Sequence, residues 1–565
     1  MATIDDKTLR ERVEARLGGM KQERKSWDDH LQEIGEWCAP RRGRFMGKNA
    51  KPNEGEKRNG KILDASGIRF GRILGNGMAS GLTPKSRPWF RLTTKDPDLR
   101  EYAAVKRWLK VCQDRLYELL GASGFYQVAR QGYAEMGHFG ITAGLLYEDW
   151  KHGACAYPLT VGEFWVATDY RLRPNTLYRR CDMTVAQIVE RFVRPGGWGV
   201  ASQAVKNLWD QGSKDTWVEV YQGIEPNPDA EPGKLDKTNK PFRSVYFEAG
   251  NDKDRVLAFE GFEEQPFWAP RWDTTGSNVY GNSPGMDALP HVKGLQLMQL
   301  RKAEIIDKLA RPPLIAPTSA MNEGVSTQPN AINYVTAGEA AAFKAMYDMD
   351  PRGLAAIRQD IGEEQNAVAS HYYADLFMMI ASEERSNVTA REIDEKYQEK
   401  MVQLGPVVER TENEKLEVVI DRAFAILLRN DALPPPPEEL HGVELEIEFV
   451  SILAQAQRMV AAGSIERTLA FGGNLAAVRP DVLDKFDFDE AIDEYADING
   501  TPPRIIRSDE EVAKLRAARA EQERAQAAAA AMPAVTEGAK AAELLSRTDA
   551  APGTALAGLL GIRGR

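Results

Sequence analysis

Apolar side chains recur at three- and four-residue spacing over several long segments of the chain, a pattern that predicts amphipathic helices. The first segments of this kind are residues 6–38, 62–82 and 100–121. Gly18 and Gly19 lie inside the first of them. Because glycine disfavours the interior of a helix, we expect this pair to interrupt it.

Between about residues 139 and 275 the pattern changes to short aromatic and β-branched runs separated by Gly, Pro, Asn and Asp. Such runs are typical of strands joined by hairpins, so we predict a mostly antiparallel β region. Trp165, Trp217 and Phe247 are expected to pack inside it. A helix at about 184–194 should interrupt the strands.

Helix signals return after residue 283. Ser283 followed by Pro284 fits an N-cap residue and a proline at the first helical position, and Pro312–Pro313 fits a hard stop. The helix between these signals would be about 40 Å long at 1.5 Å per residue. Pro290 should kink this helix or delay its start.

Two helices therefore flank a compact insertion. Residues 284–311 form the first helix, and apolar spacing predicts a second over residues 355–382. Residues 312–354 between them are short, proline-containing runs that include a strand-like stretch at 331–335. We expect a helical hairpin that carries a small α+β insertion at its far end.

The chain then continues as helix. Thr389 and Glu392 fit a capping box, and the helix they begin can run to about residue 430, with Gly405–Pro406 forcing a kink or a break. Residues 446–500 should alternate helices and turns, and a last helix should begin at Ser508 and reach Ala531. The Ala- and Gly-rich residues 532–565 are expected to lack fixed structure of their own.

Composition excludes several classes of protein. The 565 residues are 43% hydrophobic and 28% charged, with 73 Lys and Arg against 83 Asp and Glu, a net charge of −10. This balance disfavours a surface that grips nucleic acid everywhere, although it permits DNA to slide past. No apolar run approaches the roughly 18 residues of a membrane helix. The charged N-terminus lacks a secretory signal, so we expect cytoplasmic synthesis and no membrane partner.

Motifs for catalysis and cofactors are weak. The four cysteines form no CxxC and the six histidines no HExxH, and no P-loop is present, so we predict no metal and no cofactor. Gly281–Gly285 matches the GxSxG pattern of a serine hydrolase. The residue after Ser283 is Pro284, which lacks the backbone N–H that this motif donates to the oxyanion. We therefore interpret Ser283 as a helix cap, and keep a serine hydrolase or a DNA-processing enzyme as the rival hypothesis.

Four segments in order resemble the head-to-tail connecting, or portal, proteins of short-tailed, podovirus-type bacteriophages. The resemblance covers about residues 5–525. Its segments are Asn76–Pro84 with Arg87–Phe90, Tyr280–Pro290, Thr389–Ile393, and Phe486–Ala491 leading into Tyr495–Asp497. The resemblance implies an α+β, mainly helical fold with an α/β wing, a two-helix stem, a small α+β clip and a helical crown. It also implies a ring, usually of twelve subunits, around a channel for double-stranded DNA.

Our parsing of the chain maps onto this architecture. The implied parts are a wing (1–283), a first stem helix (284–311), a clip (312–354), a second stem helix (355–382), a channel loop (383–388), a long kinked helix with the return to the wing (389–445), a crown (446–531) and a flexible tail (532–565).

The resemblance further implies a non-catalytic role and a set of partners. The ring would stand at one vertex of the capsid, conduct DNA during packaging and ejection, and nucleate head assembly. Its partners would be the terminase large subunit, then tail adaptor proteins, together with the major capsid and scaffolding proteins. The protein would belong to the virion, after assembly in the host cytoplasm. Another ring-forming head–tail adaptor is the second alternative.

The charged residues of the two predicted stem helices suggest which side chains line the DNA channel. The first stem helix has five basic and three acidic residues, a net charge of +2, and the second has one basic and four acidic residues, a net charge of −3. Because each basic contact with a phosphate holds DNA in place, we expect a mostly acidic channel wall with a few basic rings. The candidate channel residues are Arg385, Glu383, Glu384, Lys293, Arg301, Lys302, Lys308, Glu363 and Glu364. The candidate terminase and adaptor contacts in the clip are Arg311, Asn330, Asn333 and Tyr334.

Overall fold

The computed structural model describes most of the chain up to residue 450 and shorter stretches after it. The described residues are 6–44, 58–316 with gaps at 97–98, 101, 150, 232, 235 and 251–254, isolated positions between 317 and 350 that include 344–345, then 351–382, 403–440, 442–450, 468–475, 485–489, 491–492, 512–524 and a few single positions. The chain divides into two compact units, Met1–Ala461 and Ala462–Arg565.

Helices dominate the first unit. They are α1 (Asp6–Cys38), α2 (Ser66–Leu82), α3 (Ala103–Ala122), α4 (Phe125–Phe139), α5 (Val185–Ile188, continued by a π-helical turn, Val189–Val193, and by Arg194–Gly196), α6 (Gln203–Asp210), α7 (Pro284–Ala310), α8 (Pro351–His371), α9 (Ala374–Ser382) and α10 (residues 403–411, a π-helical turn Glu412–Leu416, and Glu417–Arg429), with a 3₁₀ turn at Glu438–Leu440.

The strands are short and antiparallel. They are β1 (Phe90–Thr94), β2 (Ala143–Asp149), β3 (Gly153–Leu159), β4 (Phe164–Thr168), β5 (Pro174–Arg180), β6 (Met183–Thr184), β7 (Trp217–Val218), β8 (Val220–Pro226), β9 (Phe242–Glu248), β10 (Ala258–Phe262), β11 (Phe267–Trp268), β12 (Leu314–Ile315), β13 (Lys344–Ala345) and β14 (Leu445–Phe449).

The larger sheet has the strand order β10-β9-β8-β5-β4, and a smaller one has the order β11-β2-β3. Three further pairs are β1 with β14, β6 with β7, and β12 with β13. The mostly antiparallel β region predicted for residues 139–275 is therefore observed. Trp165 and Phe247 are buried there as predicted, but Trp217 is 41% exposed. It lies in a two-residue strand that pairs only over Met183–Thr184, so no second layer covers its ring.

Helix α1 is continuous and packs against two hydrophobic cores. Its first half packs on the larger sheet through side chains such as Val13 and Leu17, and its second half joins the main core of helices through Leu31 and Ile34. The predicted interruption at Gly18–Gly19 is wrong. Both glycines face solvent, and the buried residues on either side hold the helix against the sheet.

Several helix boundaries also differ from the sequence predictions. Helices α4 and α6 were not predicted. Helix α7 begins at Pro284, so Pro290 does not delay its start. The second predicted hairpin helix, 355–382, is broken at Tyr372–Tyr373, where Tyr373 has a positive φ of 50°. Burial of Tyr372 at this point fixes the break, since the side chain is fully enclosed by the core.

The later segments show two more differences. Helix runs through Gly405–Pro406, so the chain has no break there, and a π-helical turn follows at Glu412–Leu416. Residues 445–449, at the start of the segment predicted as helices and turns, form a strand that pairs with β1. In the second unit, residues 468–475 and 512–524 are helical. The strand-like 331–335, the capping boxes at Thr389 and Ser508, and the tail 532–565 lie outside the described residues.

Across the part of the chain that the structure describes, no helix combines the length and the apolar character needed to cross a bilayer.

Candidate functional site

The pairing of α7 with α8 is the candidate site, because the two helices form the hairpin predicted from the sequence. The first half of α7 is its buried half. Its buried residues are Pro284, Gly285, Ala288, Leu289, Val292, Leu295 and Gln296. Within α7, all of whose residues the structure describes, none is buried after Gln296. One end of the hairpin is therefore embedded in the main core, and the other end exposes both polar and apolar side chains.

Ser283 fixes the embedded end of α7. Its Oγ accepts a hydrogen bond from the Met286 N–H at 3.0 Å and donates one to the His138 carbonyl at 2.7 Å. A Cβ at Gly285 would lie 2.4 Å from that same carbonyl oxygen, so this position admits only glycine without a backbone shift. The Gly281–Gly285 segment thus joins the start of α7 to the end of α4. The hydroxyl is used in capping, as the sequence predicted.

Asp64 connects α2 to both helices of the hairpin. Its Oδ1 accepts from the Ser66 N–H at 2.9 Å, while its Oδ2 accepts from Gln299 at 3.1 Å on α7 and from Gln365 at 2.8 Å on α8. Burial raises the pKa of Asp64, but the hydrogen bonds from Ser66, Gln365 and Gln299 outweigh burial and hold the pKa below its usual value. The carboxylate therefore stays charged and holds three helices in register.

Gln296 adds a second link at the same level. Its side-chain oxygen accepts from the backbone N–H groups of Leu63 at 2.6 Å and Asp64 at 2.8 Å, and its amide donates to the Asp64 carbonyl at 3.0 Å. A side chain of α7 thus provides hydrogen-bond partners for the backbone groups of Leu63 and Asp64, just before α2. The sequence analysis missed both Asp64 and Gln296. The one local signal was an Asp two residues before Ser66, the first residue of α2, since Asp side chains often accept from the backbone N–H two residues further on.

A buried His–Tyr pair packs behind the hairpin. His138 Nδ1 lies 3.0 Å from the Tyr372 hydroxyl, and both side chains are almost fully enclosed. Burial, with a smaller contribution from the charge of Arg42, lowers the pKa of His138 to about 3. The imidazole is therefore neutral at physiological pH, and the pair stabilises the break between α8 and α9.

Close helix contacts explain three glycines of α2, of which Gly77 lies in the segment Asn76–Pro84 that contributed to the family resemblance. A Cβ at Gly71 would lie 2.1 Å from the His138 ring, one at Gly75 2.5 Å from Ala134 Cβ, and one at Gly77 2.2 Å from the Phe377 ring. Glycine at these positions lets α4 and α9 pack directly on the α2 backbone.

A buried lysine marks the π-helical turn of α10. Lys415 is fully enclosed, and its Nζ lies 3.5 Å from the centroid of the Tyr133 ring. Among the described residues, this Nζ has no hydrogen-bond partner. Burial lowers its pKa well below the usual value. The neighbouring Glu414 accepts from the backbone N–H of Arg271 at 3.0 Å and forms an ion pair with its guanidinium at 2.5 Å.

The predicted channel residues on α7 and α8 are mostly engaged with the same chain. Their contacts are Lys293 with Glu33, Arg301 with Glu304 at 2.7 Å, Lys302 with Gln299 at 3.4 Å, Glu363 with Gln359 at 3.0 Å, and Glu364 with His291 at 2.7 Å. Lys308 and the predicted clip residue Arg311 are exposed. The structure brings these residues onto one helix pair. The remaining candidates lie outside the described residues, namely Glu383, Glu384, Arg385, Asn330, Asn333 and Tyr334.

In the described part of the chain, no three His, Cys, Asp or Glu side chains are grouped as metal ligands. The arrangement defines an α+β, mainly helical protein built around a helical hairpin whose base is fixed by hydrogen bonds from polar side chains.

Comparison with known proteins gives the family. The chain matches the family model for the bacteriophage head to tail connecting protein over residues 10–506. It is 40% identical over 557 residues to the portal protein of Salmonella phage epsilon15, covering 98% of this chain and 99% of that protein. It is also 40% identical over 556 residues to the probable portal protein of Bordetella phage BPP-1, covering 98% of each chain. The chain belongs to the bacteriophage head-to-tail connecting protein family.

A solved structure, the virion of a native gene transfer agent particle, aligns with 80% of this chain and 89% of its own at 10% identity and a TM-score of 0.36. A likeness this weak adds nothing to the assignment. The near-full-length relatives confirm the predicted resemblance and the portal role, and the helices and strands of the structure confirm the α+β, mainly helical fold class. As a head-to-tail connecting protein, the chain is a structural component of a phage virion, with head and tail proteins as its neighbours.

Proposed function

We propose that this portal protein forms a ring, of about twelve copies, at one vertex of a phage capsid and conducts double-stranded DNA into and out of the head. The observation that carries this proposal is the 40% identity to two phage portal proteins over 98% of the chain. The ring would nucleate head assembly in the host cytoplasm, with the major capsid and scaffolding proteins as partners, and would remain in the virion.

The hairpin α7–α8 supports the proposal physically. A channel wall must keep its shape while a stiff, charged duplex passes. The base of this hairpin is held in place by Ser283, Asp64 and Gln296 through hydrogen bonds to other parts of the chain. The near balance of +2 and −3 on its two helices suits a wall that does not retain phosphates.

The wall itself is proposed to include the acidic residues Glu363 and Glu364 and the loop Glu383–Val388. Arg385, which follows Glu383 and Glu384 in the sequence, would be the basic group that approaches the duplex. Packaging assays with Arg385→Ala and Arg385→Glu test this role. We expect reduced DNA content or retention in both variants, and more so in Arg385→Glu. Wild-type DNA content and retention in both variants would show that Arg385 does not contact DNA in the channel.

The insertion between α7 and α8 is the proposed docking site for the terminase large subunit and, later, for tail adaptor proteins. Arg311 at the end of α7 is exposed and available to an acidic partner. Asn330, Asn333 and Tyr334 remain candidates for the same surface. Pull-down of terminase by Arg311→Glu, compared with the wild-type chain, tests the assignment, since loss of binding is expected only for a docking residue.

The proposed role is non-catalytic, with the energy for packaging supplied by a separate motor. Ser283, the candidate nucleophile of the rival hypothesis, is 1% exposed. Its hydroxyl already donates a hydrogen bond to the His138 carbonyl and accepts one from the Met286 N–H. Esterase or nuclease turnover that disappears in Ser283→Ala while the fold survives would support the enzyme instead.

Negative-stain electron microscopy of the purified full chain is the decisive experiment for the ring. We expect particles with a central hole and rotational symmetry. Particles that are single copies without a hole would contradict the proposal.

A further inference from the structure

The turn between β4 and β5 exposes large apolar side chains, one of them in a strained conformation. Tyr170 is 86% exposed and Leu172 42%. Leu172 has a φ of 62°, a left-handed conformation that glycine adopts readily and leucine does not. In the β2–β3 hairpin the residue with a positive φ is a glycine, Gly153. Because backbone strain tends to persist where a side chain is needed, Leu172 points to a role at the surface.

Hydrogen bonds hold this turn in one shape. We define residues 169–173 as the β4–β5 tip. Asp169 Oδ1 accepts from two backbone N–H groups inside the turn, both at 2.8 Å. The Leu172 carbonyl accepts from Arg271 at 2.7 Å, and Arg271 is itself buried and paired with Glu414 at 2.5 Å. A tip fixed in this way loses little conformational entropy when it binds a partner.

The β4–β5 tip combines apolar and basic groups. Arg171 and Arg173 are exposed on either side of Leu172. Arg171 Nε donates to the Tyr170 hydroxyl at 2.7 Å, whereas Arg173 forms no ion pair with the described residues. Tyr and Arg are enriched among the residues that dominate protein interfaces. A DNA phosphate would pair with the arginines but leave Leu172 in water, so the tip fits an apolar protein pocket with a carboxylate at its rim.

A pocket of this kind lies on the same chain, between α1 and the larger sheet. It is a cavity of about 650 Å³ that we define as the α1 socket, and its lining includes Glu11, Leu17, Gly18, Glu219, Tyr221 and Phe247. Gly18 lies inside a helix, where glycine is unfavourable, and nothing lies within 4 Å of its Cβ position. The fold of the single chain therefore does not require glycine here, but a glycine keeps the socket open.

The rim of the α1 socket has one available carboxylate. Its other charged groups are engaged within the chain, namely Glu14 with Arg10 at 2.7 Å, Glu219 with Arg180 at 3.5 Å, and Lys21 with the Tyr221 hydroxyl at 2.9 Å. Glu11 is exposed and forms no ion pair with the described residues. The charge that the β4–β5 tip leaves unpaired, Arg173, is thus matched by the charge that the socket leaves unpaired.

The tip and the socket lie at opposite ends of the larger sheet. Strand β5 runs from Pro174, next to the tip, to Arg180, which pairs with Tyr221 in the socket. At about 3.3 Å per residue, the two ends of β5 are about 20 Å apart. A chain therefore cannot fill its own socket, and a contact between tip and socket joins two copies head-to-tail.

We propose that the β4–β5 tip of one copy inserts into the α1 socket of a second copy, with Tyr170 and Leu172 inside the socket and Arg173 against Glu11. The contact involves neither helix of the α7–α8 hairpin. This inference rests on the proposed ring, because a head-to-tail contact repeated around an axis closes into one.

Leu172→Gly tests the tip. The variant relieves the strained φ and removes the inserted side chain. We expect the urea midpoint of dilute single copies to stay the same or rise, while the protein concentration needed for assembly rises by about tenfold. The measurement is the fraction of assembled chains across a dilution series, by native mass spectrometry of the full-length protein. A purely structural role of Leu172 would leave assembly unchanged.

Gly18→Leu tests the socket, and Gly19→Leu is its matched control. Both glycines lie in α1 with open space at the Cβ position, but Gly18 lines the socket and Gly19 is not among its lining residues. We expect Gly18→Leu to weaken assembly by about tenfold and Gly19→Leu to assemble as the wild type does. Circular dichroism verifies that each variant is folded.

Charge reversal tests the pairing of tip with socket. Arg173→Glu and Glu11→Arg should each weaken assembly, and the double variant should recover most of the loss. Lys151→Glu, in the exposed turn between β2 and β3, is the control for a lost surface cation and should assemble normally.

Three results would overturn the inference. They are unchanged assembly of Leu172→Gly, equal effects of Gly18→Leu and Gly19→Leu, and failure of the double charge variant to recover. In each of these cases rings of the wild-type chain would still support the proposed function. A wild-type chain that forms no ring under any condition would contradict the proposed function as well.

Discussion

Replacing Gly75 by alanine should destabilise the protein, although alanine is the better helix former. At this position a Cβ would lie 2.5 Å from Ala134 Cβ and 2.8 Å from Ala134 Cα. Carbon atoms pack best at about 3.5–4.0 Å, so α2 and α4 would have to separate by about 1 Å. Because the obstacle is backbone and cannot rotate away, we place the cost near the upper end of overpacking, about 3 kcal/mol.

Alanine also recovers about 1 kcal/mol of helix propensity relative to glycine, which leaves a net loss of about 2 kcal/mol for Gly75→Ala. Gly18→Ala is the control, because Gly18 lies in helix α1 and nothing lies within 4 Å of its Cβ position. That variant should gain about 1 kcal/mol. The difference between the two alanine variants is therefore about 3 kcal/mol, and it isolates the helix contact because the propensity gain is common to both.

Urea denaturation followed by tryptophan fluorescence measures both variants. All samples need the same low protein concentration, because assembly would stabilise the folded chain by mass action. The midpoint should fall for Gly75→Ala and rise for Gly18→Ala. If Gly75→Ala proves at least as stable as Gly18→Ala, the close packing of α2 on α4 is not the reason for glycine at this position.

Three further predictions concern the hairpin base and the π-helical turn. Because the pKa of Asp64 is lower when folded than its usual value of about 3.9, its charge stabilises the fold above that pH, and this contribution is lost as the pH falls through the folded pKa. The destabilisation by Asp64→Asn in urea denaturation should thus be about 1–2 kcal/mol at pH 7 and become smaller as the pH falls from about 3.9 through the folded pKa, and a loss that does not change with pH would contradict this. Ser283→Ala should lose the cap on the Met286 N–H and lower stability by about 1–2 kcal/mol, whereas Ser283→Thr, which keeps both the acceptor for Met286 and the donor to the His138 carbonyl, should lose less if capping is the role of this residue. Because burial lowers the pKa of Lys415, the unfolded chain binds more protons than the folded one between the folded pKa and about 10.4, so stability rises with pH there. Lys415→Met should remove that slope in pH-dependent denaturation, and a slope that survives the substitution would show that another group causes it.

The sequence predicted those parts of the fold that depend on local pattern. Helices α2 and α3 were found because each has a stripe of buried apolar residues at helical spacing, and the start of α7 was found because Ser283 and Pro284 signal a cap. Both signals are set within a few residues of the chain.

Features that depend on distant partners were missed. The break at Tyr372–Tyr373 lies in a segment whose apolar spacing is helical throughout, and it follows from the burial of Tyr372 against His138, 234 residues away. For the same reason the role of Asp64 was hidden, since its partners Gln299 and Gln365 lie 235 and 301 residues further along. Hydrogen bonds between such positions leave no periodic signal in one sequence.

The pairing of β1 with β14 determines when the chain can finish folding. Phe90 meets Phe449 in this ladder, so the first strand has no partner until nearly the whole first unit has left the ribosome. At a synthesis rate of about 5–20 residues per second, the interval between these strands is on the order of 20–70 s. During that time the β1 edge has unpaired backbone N–H and C=O groups that another nascent chain could pair with.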